Sequence, residues 1–185
     1  MNNKQALQVI ISTLLFSASR TEHMQVCTIK TRQPLATVPP YGYVKDPKDK
    51  NHWIVDETSA SVVKEIFQLC IKGLGPNQIA KKLTEQKILS PSYYYNQLGY
   101  HYATAKTTNP YLWNPRTVGD ILEKIEYLGH TVNFKTYRKS FKNKKTLWND
   151  KSDWKIFENT HEAIVDQETF DIVQKIREVR RCFNR

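Results

Sequence analysis

The sequence predicts an α+β fold, mostly helical: a helix-turn-helix-like bundle with a small antiparallel β-hairpin or sheet. Three observations predict it. Apolar residues recur at helical spacing in several stretches, as at Val62, Val63, Ile66, Phe67 and Cys70. Glycine and proline punctuate those stretches at Gly73, Gly75-Pro76, Pro115 and Gly129, where helices end and begin. Short β-branched and aromatic runs, Tyr43-Val44 and Trp53-Ile54-Val55, flank a polar loop.

The composition sets the outer limits. At 185 residues and 39% hydrophobic, the chain suits one domain, or one domain with an arm. Mixed charge and 11% aromatics exclude wholesale disorder, and 6 Gly and 8 Pro exclude a collagenous chain. No run of 18 apolar residues exists, so no ordinary membrane-spanning helix is expected, and no membrane partner. Lys plus Arg number 28 against 18 Asp plus Glu, a net +10 that favours an acidic partner: nucleic acid, an anionic membrane face or an acidic protein. Cys27, Cys70 and Cys182 form no CxxC pair, and the five histidines are not paired either. The expectation is a reduced, cytoplasmic protein with no metal and no cofactor.

Along the chain, residues 1–33 stand apart as an unassigned segment, non-native or disordered. The apolar stretch Ala6–Phe16 weakly resembles a secretory signal, but it is short and interrupted by Gln8, Ser12 and Thr13. Pro34, Pro39 and Pro40 then mark an extended linker or arm. Tyr41–Val44 and Trp53–Val55 read as a small hairpin. Asp56 caps a helix beginning near Thr58, which Gly73 ends. Pro76 opens a second helix whose stripe is Ile79, Ala80 and Leu83. Residues 58–86 thus read as helix, tight turn, helix.

Residues 90–112 read as a tyrosine-rich loop, with Tyr93, Tyr94, Tyr95, Tyr100, Tyr102 and Tyr111. These rings either stack on a ligand or pack against the domain, and packing is the reading favoured for most. Asn114 then caps a helix with Pro115 in its first position and a core face of Val118, Ile121, Leu122, Ile125 and Leu128. Its first turn exposes Arg116 and Thr117 beside unpaired N–H groups and the positive end of the helix dipole. That is where a recognition helix meets phosphates and base edges, although a capped core helix with one solvated Arg gives the same pattern.

Gly129–Lys139 and Trp154–Phe157 read as strands around a polar loop. Between 135 and 145 lie Lys135, Arg138, Lys139, Lys142, Lys144 and Lys145 with no acid among them, interleaved with Tyr137 and Phe141. Such a ridge suits a phosphate backbone; a solvated hairpin tip is the plainer alternative. Asp166 caps a last helix with Phe170, Ile172, Val173, Ile176 and Val179 as its apolar residues, ending in Arg177, Arg180 and Arg181.

Taken in order, Pro39-Pro40-Tyr41-Gly42-Tyr43, Trp53-Ile54-Val55-Asp56-Glu57, Gly73-Leu74-Gly75-Pro76-Asn77-Gln78-Ile79-Ala80, Trp113-Asn114-Pro115-Arg116-Thr117-Val118, Tyr127-Leu128-Gly129 and His161–Phe170 resemble the recombinase domain of the large serine recombinases. The resemblance runs from about Pro34 to Arg181 and is closest to the branch that mobilises transposons and integrative elements. It implies a domain over 34–181, a tail at 182–185, and double-stranded DNA, an attachment-site half, as partner. Other recombinase subunits are a further implied partner. The arm Thr37–Tyr43, with Thr37, Pro39, Tyr41 and Tyr43, matches the family's linker along the minor groove. Asn114, Arg116 and Thr117 match the start of the major-groove helix, where an Arg could grip guanine O6 and N7. Lys135, Arg138, Lys139, Lys142, Lys144 and Lys145 are expected to supply phosphate contacts.

In that family a catalytic domain carrying the serine nucleophile precedes this region, and a zinc ribbon follows. Ser12, Ser17 and Ser19 lack the pattern around the family's nucleophile, so no residue is assigned a catalytic role. The expectation is a DNA-binding middle domain of a site-specific recombinase, lacking the serine nucleophile and not catalytic on its own. Two alternatives compete. An independent enzyme would need a nucleophile, base and metal or Arg clamp; His161-Glu162 is the suggestive dipeptide, but HExxH fails at Val165 and Asp166. A protein-interaction fragment modulating an intact recombinase would use the amphipathic ends of the chain.

Overall fold

The computed structural model describes residues 38–100, 109–138 and 145–183. Among the described residues, five α-helices accompany three two-stranded sheets, an α+β fold. The described chain forms two compact units. One is a helical body of residues 36–132 with 156–185, and the other is a ribbon of residues 133–155.

The body opens with an antiparallel hairpin, β1 (Tyr43–Lys45) and β2 (Trp53–Val55), in which Tyr43 faces Val55 and Lys45 faces Trp53. Asp56 then caps α1 (Glu57–Ile71), its carboxylate accepting the Ser59 N–H at 3.3 Å. The expected stripe is the buried one: Val63, Ile66, Phe67 and Cys70 are buried with Ala60 and Leu69, while Val62 is only partly so.

The next two helices are α2 (Pro76–Glu85) and α3 (Pro91–Gln97), each with proline in its first turn. The first three helices all end in Schellman closures. Leu74 N–H bonds the Leu69 carbonyl, Ile88 N–H that of Leu83 and Tyr100 N–H that of Tyr95. Gly73 and Gly99 occupy two of the left-handed positions and Lys87 the third, at φ 55°. The last of these helices corrects the loop reading of residues 90–112. Seven of those residues are helical because Pro91 starts a turn that the buried Tyr95 anchors.

Helix α4 (Pro115–Glu123) is shorter than its apolar pattern implies. Its stripe continues into a 3₁₀ turn (Ile125–Leu128), where Tyr127 is buried, before Gly129 turns the chain at φ 83°. The strands β3 (Thr131–Asn133) and β6 (Lys155–Phe157) pair. Helix α5 (Gln167–Phe183) follows, with the Asp166 carboxylate accepting the Thr169 N–H at 2.9 Å. Phe170 and Val173 are buried and Ile176 partly so, but Ile172 and Val179 are exposed, so the core-facing stripe is narrower than its list of apolar residues. Helices α2 and α4 pack on one another, and α1 packs on α5.

The ribbon unit contains β4 (Thr136–Arg138) antiparallel to β5 (Thr146–Trp148), with Thr136 opposite Trp148 and Tyr137 opposite Leu147. These are four short strands, β3 to β6, in place of the two longer ones expected. Phe134, at φ 60°, and Lys135 separate β3 from β4.

Candidate nucleic-acid interface

The N-terminus of α4 is positioned by the residue before its cap. Trp113 is 3% exposed; its backbone N–H bonds Thr84 Oγ1 at 3.1 Å, and its indole N–H bonds the Ile88 carbonyl at 3.0 Å. Both partners lie at the C-terminal end of α2, so the first turn of α4 is fixed against that helix. Asn114 is exposed, and its Oδ1 accepts the Arg116 N–H at 2.8 Å. Its carbonyl oxygen therefore works as the cap, which leaves the side-chain NH₂ to offer outward. Arg116 is exposed and Thr117 partly so, both beside the positive end of the helix dipole.

The outward face of α4 also carries Asp120 and Glu123. Glu123 is held by Arg177 and Arg181 of α5, and Arg177 also donates to the Gly119 carbonyl at 2.9 Å. Burial holds the Arg177 pKa below its ordinary value, against the opposing pull of Glu123. Arg180 donates to the carbonyls of Gly73 and Leu74 at 2.6 and 2.8 Å, which ties α5 to the turn after α1. The arginines at the end of the last helix are thus clamps within the body. Sequence spacing gave no sign of this, because their partners lie 54 to 107 residues away.

Structure corrects the reading of the arm. Thr37 lies outside the described residues, and Pro39, Tyr41 and Tyr43 are buried rather than presented to a groove. Three phenols fix this segment. Tyr95 OH donates to the Pro39 carbonyl at 2.7 Å and Tyr127 OH to the Tyr41 carbonyl at 2.8 Å, while Tyr43 OH donates to the Glu162 carbonyl at 2.8 Å. The Tyr41 ring meets Tyr94, Tyr95 and Trp113 edge-on, at centroid distances of 5.6, 6.3 and 5.7 Å. Burial raises the Tyr41, Tyr43 and Tyr127 pKa values well above the ordinary phenol range. Tyr94 donates to the Asp56 carboxylate and its own pKa is pushed up to about 12, mainly by burial. Burial works against the Asp56 carboxylate, but hydrogen bonds from Ser59 and Tyr94 outweigh it and hold its pKa below the ordinary value.

His161, half of the suggestive His-Glu dipeptide, is also a packing residue. Its ring sits 4.7 Å from Tyr43 and 5.1 Å from Trp53. Nε2 lies 2.8 Å from the Glu126 carbonyl and so donates to it; Nδ1 then accepts from Thr160 Oγ1 at 2.9 Å. Among the described residues, no three His, Cys, Asp or Glu side chains come together as a metal site. None of their helices is long and apolar enough to cross a membrane.

In the ribbon unit, Lys145 is exposed and Lys135 holds its ammonium 5.5 Å from the centre of the Trp154 ring. Arg138 lies in β4, with only its backbone described; Lys139, Lys142 and Lys144 fall outside the described residues. The base of the ribbon is pinned by Asn149, whose side-chain amide donates to the Phe134 carbonyl at 2.8 Å and whose backbone N–H bonds the Lys135 carbonyl at 2.9 Å. Trp148, which the spacing argument passed over, is 74% exposed on β5.

The distribution of charge separates the two units. Residues 133–155 hold eight basic and two acidic residues, a net +6. The body of residues 36–132 and 156–185 holds sixteen basic and fifteen acidic, a net +1.

No curated protein sequence matches the chain. A solved structure concerning the sequence requirements of the Listeria innocua prophage attP site is similar, at 17% identity and a TM-score of 0.50, covering 86% of this chain and 51% of its own. A second, described as a crystal structure of an LSR–DNA complex, has 17% identity and a TM-score of 0.48, covering 86% of this chain and 38% of its own. The chain thus spans about half of the first relative's length and less of the second's. The Recombinase family model matches residues 57–180, from the first residue of α1 into the last helix. The chain belongs to the Recombinase family, the middle domain of the large serine recombinases.

Proposed function

We propose that the chain binds double-stranded DNA as the recombinase domain of a site-specific serine recombinase, contacting one half of a mobile element's attachment site without performing the chemistry itself. The observation that carries this reading is the division of charge. A helical body near neutrality is joined to a 23-residue ribbon unit of net +6, a density suited to the phosphate backbone. Family membership and the attP site named for the similar solved structure agree with it.

Within this reading, α1, α2 and α4 serve as a helix-turn-helix-type reader, with the first turn of α4 at the major groove. Arg116 and Thr117 face base edges or phosphates, and the Asn114 NH₂ adds a donor. Lys135, Arg138, Lys139, Lys142, Lys144 and Lys145 meet phosphates. Thr37 contacts the minor groove as the arm residue, and the buried Pro39, Tyr41 and Tyr43 act indirectly, by fixing the backbone that follows it.

Fluorescence anisotropy with a mixed-sequence duplex tests this at about 50 and 200 mM salt. A multi-phosphate footprint predicts a fall in affinity of a hundredfold or more. Absence of binding at the lower salt would overturn the reading and favour a protein-interaction role.

A further inference from the structure

We propose that Trp148 is a DNA contact in its own right, an apolar contact laid against a groove wall by the β4–β5 ribbon. The inference rests on the DNA-binding reading and adds to it a residue that charge does not reveal. Trp148 is 74% exposed, far more than Trp53 at 4% and Trp113 at 3%. Strand alternation puts Trp148 on one face with its cross-strand partner Thr136 and with Thr146, and all three are exposed.

The ribbon is built to hold the backbone at the end of that strand in place. The two Asn149 hydrogen bonds lock the residue after Trp148 to Phe134 and Lys135, and the indole N–H of Trp154 bonds the Asn149 carbonyl at 3.3 Å. Lys135 is in turn held over the Trp154 ring. A two-stranded ribbon has the width to enter a major groove, and large apolar side chains cover sugars and unstack base steps in the minor groove. The net +6 of residues 133–155 favours duplex DNA as the occupant, because a unit of that charge attracts a polyanion and repels a basic protein face.

The test uses the full chain, a labelled duplex, and the Trp148→Ala and Trp148→Phe variants. Trp148→Ala is expected to weaken binding roughly tenfold at fixed salt, the scale of one aromatic base contact. Its salt slope should remain that of the wild type, because no phosphate contact is lost. Trp148→Phe should recover part of the affinity. Wild-type tryptophan emission should change on adding DNA, and that change should vanish in Trp148→Ala. Equal affinity for wild type and Trp148→Ala, with no emission change, would overturn the inference and leave DNA binding standing. A concentration-dependent dimer lost in Trp148→Ala, with DNA affinity unaltered, would overturn it in favour of a second copy. Absence of wild-type binding at low salt would instead overturn the DNA-binding reading on which the inference depends.

Discussion

Reversing Lys142, Lys144 and Lys145 to Glu changes the charge of residues 133–155 by six and takes that unit from +6 to zero, while the body stays at +1. If each of the six net charges neutralises one phosphate, the wild-type log K falls with log salt at a slope of about −5, roughly a thousandfold between about 50 and 200 mM. With the net charge of that unit at zero, the same assumption makes the slope shallower by about 5, leaving little salt dependence from it. The triple variant is therefore expected to bind every duplex sequence more weakly at low salt, and to lose much less on going to high salt. Anisotropy titrations at three or more salt concentrations measure both quantities, and circular dichroism checks that the helical body is intact. The body should be indifferent, since Lys145 is exposed and none of the three residues belongs to it. An unchanged slope and affinity would refute the reasoning: the ribbon's charge would be a solvated surface, and the phosphate contacts would have to come from the near-neutral body.

Arg116→Ala should cost roughly 1–3 kcal/mol of discrimination between the preferred site and a scrambled one, measured by competition, if the guanidinium reads guanine; an unchanged preference would place Arg116 on a phosphate or in solvent. Gly129→Ala should destabilise the fold by about 3 kcal/mol or more in urea unfolding, because the added Cβ combines a left-handed backbone with backbone contact. That Cβ would stand 2.6 Å from the His161 carbonyl oxygen at φ 83°. Burial, helped by His52 and His130 and opposed by the Glu126 side, holds the His161 pKa below 6.5. The unfolded chain therefore takes up the proton first: stability should be full above pH 6.5 and fall as the pH drops below it towards the folded pKa, a trend that His161→Gln should flatten in melting experiments.

Much of the fold is legible in residue order. Asp56, Asn114 and Asp166 cap the helices they precede, and Pro76 and Pro115 open helices, because capping and proline geometry are satisfied within a few residues of chain. The buried stripes of α1, α2 and α4 are those of the 3.6-residue period. The α3 helix was hidden because its apolar content is tyrosine, which reads equally as loop or ligand platform. The narrower face of α5 was hidden because periodicity cannot say how much of a stripe a neighbour covers. In the candidate site, a solvated Arg116 at a capped helix start follows from local sequence, whereas the exposure of Trp148 does not.

Helix starts, apolar periods and the placement of six of the ten net charges within residues 133–155 are readable along the chain. Each is a property of neighbours along the chain. Tertiary structure decided what the aromatic and basic residues do. Tyr43 is a structural phenol because a carbonyl 119 residues away accepts its hydroxyl. Arg180 is a clamp because the turn after α1 presents two carbonyls to it from more than 100 residues away. A tyrosine or an arginine carries both an apolar body and a polar end. Whether it packs inward or reaches outward depends on which distant groups the fold brings to it, and no local pattern records those partners.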